Sequence, residues 1–85
     1  MEWEVEEDNY QEQVRIPKEI QDLAAKEGIS TENGQKVTVL ITNLKTREVY
    51  IGQRAITGHQ EIYLSVGLQK ILEGSGKFRV QILGA

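Results

Sequence analysis

Residues 14–24, VRIPKEIQDLA, and residues 62–72, IYLSVGLQKIL, align without a gap at an offset of 48. Apolar residues coincide at 14/62, 16/64, 20/68, 23/71 and 24/72. After a break, Lys36–Ile41 and Lys77–Ile82 coincide in the same way. Two degenerate copies of one unit, approximately residues 1–42 and 43–85, account for the whole chain. An 85-residue chain leaves room for one domain, so both units belong to a single domain spanning 1–85.

Within each unit the apolar period changes from 2 to about 3.6 and back, which predicts strand, helix, strand. Val14 and Ile16 alternate as a half-buried strand does. Pro17 then stops the ladder where a helix begins, because its missing N–H is no loss in a first turn. Ser65 holds the matching place and caps directly. Ile20, Leu23 and Ala24, like Leu68, Ile71 and Leu72, recur at i, i+3 and i+4 and form one apolar stripe per helix. Gly28 and Gly74 supply left-handed exits. A leading strand precedes each unit, with Trp3 and Val5 inward in the first and Val49 and Ile51 inward in the second. Polar stretches, Glu7–Glu12 and Gly52–Gln60, join these strands to the repeat cores, and Thr42–Thr46 reads as a further turn. The predicted fold is mainly β (α+β): a small pseudo-two-fold barrel of about six to eight strands with two short helices. Closure would remove the exposed edges that threaten small sheets. Trp3 and Phe78 are its expected aromatic core.

Composition narrows the class. There is no Cys, so disulfides do not hold the fold together, which fits a reducing compartment. Hydrophobic residues at 39% and charged residues at 27% are those of a globular domain, not of a disordered or fibrous chain. No apolar run approaches the roughly 18 residues of a membrane span. Residues 1–6 lack the basic and apolar regions of a secretion signal, which makes a cytoplasmic location the expectation.

The net charge of -3 is unevenly placed. Residues 1–42 carry 4 basic and 10 acidic groups, residues 43–85 carry 6 and 3, and Glu2, Glu4, Glu6, Glu7 and Asp8 fall within the first eight positions. Catalytic chemistry has little to build from. Nucleophilic catalysis wants Ser or Cys beside a base, and His59 is the only histidine. His59 and Glu61 offer two metal ligands where a site needs several, so no metal or cofactor is expected. Gly74-Ser75-Gly76-Lys77 lacks the earlier Gly of a phosphate-binding loop, which falls at Ile71, and has Phe78 in place of Ser or Thr. It reads as a tight turn.

VRIPKEIQDLAAKEGI at Val14–Ile29, followed by KVTVLI, resembles the hallmark of the AbrB and MazE-type swapped-hairpin regulators. Those families build a DNA-binding barrel from two copies of such a unit in a homodimer. With both copies in one chain, the sequence is also similar to the DNA-binding pseudobarrel domains of plant transcription factors and some restriction endonucleases, where Glu61–Leu68 resembles the Tyr-bearing strand that runs into a second helix.

The resemblance implies double-stranded DNA as partner, read in the major groove by two arms on one side of the barrel. The first arm is Asp8–Gln13 with Arg15, and the second is Gly52–Gln60. In the second, Arg54 is placed to take a guanine edge, Gln53 or Gln60 an adenine, and Thr57 or His59 a phosphate or base. Arg15 and Lys18 support them, and Tyr10 and Tyr63 lie beside the arms. Because Glu7, Asp8 and Glu12 would repel phosphates, the alternative is a protein-interaction module whose acidic face, Glu2, Glu4, Glu6, Glu7 and Asp8, meets a basic partner. A monomer suffices for an internally duplicated barrel, and a homodimer would form by pairing along an exposed edge at Lys36–Ile41.

Overall fold

A computed structural model of the chain describes residues 1–9 and 12–85. Six strands form one antiparallel sheet: β1 (Glu2–Glu6), β2 (Gln13–Arg15), β3 (Lys36–Asn43), β4 (Val49–Thr57), β5 (Glu61–Tyr63) and β6 (Lys77–Gly84), in the order β1-β6-β3-β4-β5-β2. Two helices, α1 (Lys18–Lys26) and α2 (Val66–Leu72), follow β2 and β5. The sheet curls until its edge strands face each other across a depression of about 250 Å³ lined by Trp3, Val5, Val14, Arg15 and Pro17. It is a nearly closed barrel. Inside lie Ile16, Val37, Val39, Ile41, Ile56, Ile62, Leu64, Leu72 and Phe78, all fully buried.

The ladder carries the offsets of the repeat. Val14 pairs with Ile62, 48 positions on, and Leu40 with Gln81, 41 positions on. Around Leu40–Gln81, the pair Val39–Ile82 exchanges with Ile41–Val80. The local twofold axis therefore passes through the β2–β5 and β3–β6 contacts. It is broken between Thr38 and Val39, where a register shift leaves Leu83 as an extra, half-exposed residue. Helix details repeat as well. Gln21 Nε2 donates to the Ile16 carbonyl at 2.7 Å, and Gln69 Nε2 donates to the Leu64 carbonyl at 2.8 Å. Ser65 Oγ accepts from the Leu68 N–H at the start of α2, while Pro17 precedes α1 with φ -59 and ψ 150. Gly28 and Gly74 adopt φ of 76 and 71 at the helix exits. Ile20, Ala24, Leu68 and Leu72 are buried, but Leu23 is half exposed, so the stripe on α1 is narrower than its spacing predicts.

Three expectations are corrected. Val49 and Ile51 point outward, 55% and 63% exposed, and Tyr50 packs on the core. A nine-residue strand has one parity, and fully buried Ile56 fixes it: Tyr50, Gly52 and Arg54 share its face. Tyr50 folds back over Gly52, where a Cβ would stand 2.6 Å from the tyrosine hydroxyl. Next, Gly52–Gln60 is not a connecting stretch, because β4 continues to Thr57 and the turn occupies only Gly58–Gln60. Finally, β3 is not an edge strand: β4 pairs with it from Lys36 to Thr42 and β6 from Thr38 to Asn43. No helix among the described residues is long and apolar enough to cross a membrane.

Candidate functional site

The β2–β5 pair lies on the local twofold, and the described ends of the two predicted arms, Glu12 and Gln60, flank it. Each arm is fixed at its base to the other unit's strand. The Ile16 N–H donates to the Gln60 carbonyl at 3.0 Å, and the Leu64 N–H donates to the Glu12 carbonyl at 2.8 Å. These bonds are again related by the offset of 48. Positive φ at Gly58 (58) and Gln60 (58) turns the second arm tightly. Of the first arm, Tyr10 and Gln11 lie outside the described residues.

At the second arm the structure gathers Arg15, Glu32, Asn33, Gly58, His59 and Gln60 around a polar depression of about 350 Å³. Asn33 was not legible as a site residue, yet it organises this end: its Nδ2 donates to the Gly58 carbonyl and its Oδ1 accepts from the Gln60 N–H at 3.4 Å. Glu61 Oε1 accepts from the His59 N–H at 3.4 Å and helps to fix the turn. Arg15 projects from β2 opposite Glu61, exposed, and among the described residues no hydrogen bond or ion pair engages its guanidinium. Alongside runs a second groove of about 440 Å³, lined by Lys18, Gln21, Asp22, Thr31, Glu32 and Gln60 among others. There Lys18 Nζ pairs with Asp22 at 2.9 Å.

The remaining predicted residues diverge. Strand alternation puts Gln53 and Thr57 on the outer face of β4, both exposed, and Arg54 on the inner one. Arg54 is already engaged. Its Nε and Nη2 donate to the Tyr63 carbonyl at 3.1 and 2.9 Å, and its guanidinium carbon lies 6.0 Å from the Tyr63 ring centroid. A guanidinium so held first positions β5.

The acidic face is matched within the chain. β1 pairs with β6, which brings Glu2 to 3.1 Å from Arg79 Nε and Glu6 to 3.7 Å from Lys77 Nζ. The excess negative charge of one unit thus lies against cations of the other, although exposed pairs of this kind contribute only about 0–1 kcal/mol. Glu7 turns back instead, where the Gly76 and Gly74 N–H groups hold its carboxylate below the ordinary glutamate range, with Lys45 adding to the effect. Glu4 and Asp8 make no hydrogen bond or ion pair among the described residues. No group of three or more His, Cys, Asp or Glu converges among the described residues in a way that would hold a metal.

No family model and no curated protein matches the chain. Among solved structures, the fold is similar to the solution structure of PHS018 from Pyrococcus horikoshii: TM-score 0.71, covering 98% of this chain and 88% of that one, at 15% identity. At that identity the likeness carries the fold alone. What is shared is a small, nearly closed, six-stranded antiparallel barrel; no family match ties it to the swapped-hairpin or pseudobarrel DNA binders in particular.

Proposed function

We propose that the chain is a non-enzymatic module that reads double-stranded DNA in the major groove, as part of a regulator or restriction-type system in the cytoplasm, with the polar end at Arg15, His59 and Gln60 as its reading surface. The observation that carries this reading is the convergence of those residues on one depression, with no hydrogen bond or ion pair engaging the Arg15 guanidinium among the described residues. Arg15 is suited to a guanine edge by its two-pronged donor geometry, Gln60 and Asn33 to adenine, and Glu32 to the cytosine amino group. Thr57 and Gln53, outward on β4, are suited to phosphate contacts, as is Lys18 on release from Asp22. Arg54 keeps a supporting role by placing β5 and hence Arg15's strand partner. The fold of the swapped-hairpin and pseudobarrel binders, which the sequence resembles, favours the same end, because their two arms leave one side of the barrel.

The alternative, protein interaction through Glu2, Glu4, Glu6, Glu7 and Asp8, has less to draw on. Three of those five carboxylates are matched or anchored within the chain.

Selection from a randomised duplex library at two salt concentrations tests the reading. Enrichment of one motif, with retention that falls steeply as salt rises, is the expected result. Failure to retain any duplex at low salt would overturn it.

A further inference from the structure

The turn between α2 and β6 already holds an oxyanion. The Gly74 N–H donates to Glu7 Oε2 at 2.9 Å and the Gly76 N–H donates to Glu7 Oε1 at 3.0 Å, so two backbone donors straddle one carboxylate. Both glycines are left-handed, with φ of 71 and 69, and the intervening Ser75 N–H turns away to the Leu72 carbonyl at 3.2 Å. Alternate peptide groups thereby face one point, the concave arrangement that binds anions elsewhere in proteins. Among the described residues, no atom beyond the chain neighbours would lie within 4 Å of a Cβ at either glycine, so glycine serves here for its backbone conformation and not for clearance.

Two further observations mark the turn. Ser75 is 8% exposed, and its Oγ has no hydrogen-bond partner among the described residues. Glu7 is clipped a second time, its own N–H donating to the Gly76 carbonyl at 2.9 Å, immediately before the first arm begins. The same turn that receives the carboxylate therefore also sets where the arm leaves the barrel.

We propose that Gly74–Ser75–Gly76 is a phosphate-binding nest that the chain fills from within with the carboxylate of Glu7, and that a phosphate takes its place when Glu7 withdraws. Two oxygens of a phosphate accept the same two N–H groups, and its greater charge is favoured by Lys45, whose field already acts on Glu7. The Ser75 hydroxyl, without a hydrogen-bond partner among the described residues, supplies a further donor if its rotamer changes. Tethering gives Glu7 a high effective concentration, so free phosphate displaces it poorly while a phosphate delivered by a larger ligand competes better. That the larger ligand is a DNA duplex rests on the function proposed above; the nest itself rests on the two donors.

The test is a titration of ¹⁵N-labelled Glu7→Ala with inorganic phosphate, with chloride at equal ionic strength as the control. The Gly74 and Gly76 amide resonances are expected to move saturably in the variant and to stay in place in the wild type. Immobile glycine resonances in a folded variant would overturn the nest. Should Glu7→Ala lose its dispersed spectrum, two substitutes serve: Glu7→Gln, and the wild type in sulfate against chloride at a pH where Glu7 is protonated. No glycine response in whichever of these stays folded also overturns the proposal. A short duplex added to the responsive protein then separates the two claims. A matching shift supports a duplex source, and its absence, with the phosphate response intact, overturns that source and leaves the nest.

Discussion

Arg54 holds the carbonyl oxygen of Tyr63 with two donors, at 3.1 and 2.9 Å, and so ties the middle of β4 to the end of β5. Only two ladder pairs, Ile56–Ile62 and Thr57–Glu61, otherwise join these strands. Removing the side chain should therefore loosen β5 and, through Arg15–Glu61, the strand that carries Arg15. Arg54→Ala is expected to cost about 1 kcal/mol, a figure set below the usual range for charged hydrogen bonds because the group is partly exposed. In a domain of this size that lowers the melting midpoint by about 4–8 °C. Arg54→Lys should recover only part of the loss, since an ammonium lacks the two-donor fork. Thermal denaturation of the three proteins decides it.

Arg15→Ala should behave in the opposite way. No partner among the described residues depends on it, so the melting midpoint should stay within the scatter of surface substitutions, about 0.5 kcal/mol. Duplex affinity should fall by about 1–3 kcal/mol with relaxed preference at one base position. Parallel melts and fluorescence-anisotropy titrations of the two arginine variants would show this crossing pattern.

The paired glutamines give a symmetric prediction. Gln21→Ala and Gln69→Ala each remove a part-buried bond to a strand-end carbonyl, and each should destabilise by about 1 kcal/mol. The sites lie on opposite sides of the local twofold, so the double variant should lose the sum of the two. Urea midpoints at constant slope are the measurement.

Much of the fold is legible in the residues. The offset of 48 places Val14 against Ile62, and helical spacing identifies Ile20, Ala24, Leu68 and Leu72 as core. The conserved-in-repeat Gln21 and Gln69 carry the same signal at a polar position. The phase of β4 was not legible locally, because Val49 and Ile51 alternate as well as Tyr50 and Ile56 do; only closure around Ile56 chooses between them. The site was legible in part. Arg15, His59 and Gln60 line one depression, but whether an arginine is held inside the protein depends on a carbonyl nine residues away, as with Arg54 and Tyr63. Asn33 gave no periodic or motif signal, since its role comes from a loop folded across the second arm.

Glu7 makes stability depend on acid. Its folded-state pKa is depressed by the Gly76 and Gly74 N–H groups, so the carboxylate contributes stability above its unfolded pKa, and that contribution is lost as pH falls through the folded one. The wild-type melting midpoint should drop over the acidic range below the ordinary glutamate value. In Glu7→Gln the part of that drop due to this residue should vanish, leaving a flatter profile. Identical profiles for the two proteins would contradict a stabilising role for the Glu7 carboxylate on the Gly74 and Gly76 N–H groups.

The most direct measurement is equilibrium binding of the wild type to a fluorescent random-sequence duplex pool over a range of salt. Binding that is saturable at low salt, with the logarithm of affinity falling linearly against the logarithm of salt and with a shallower slope in Lys18→Ala, is the predicted result. A duplex that fails to bind at the lowest salt, or binds with no dependence on salt, would contradict a DNA-reading barrel.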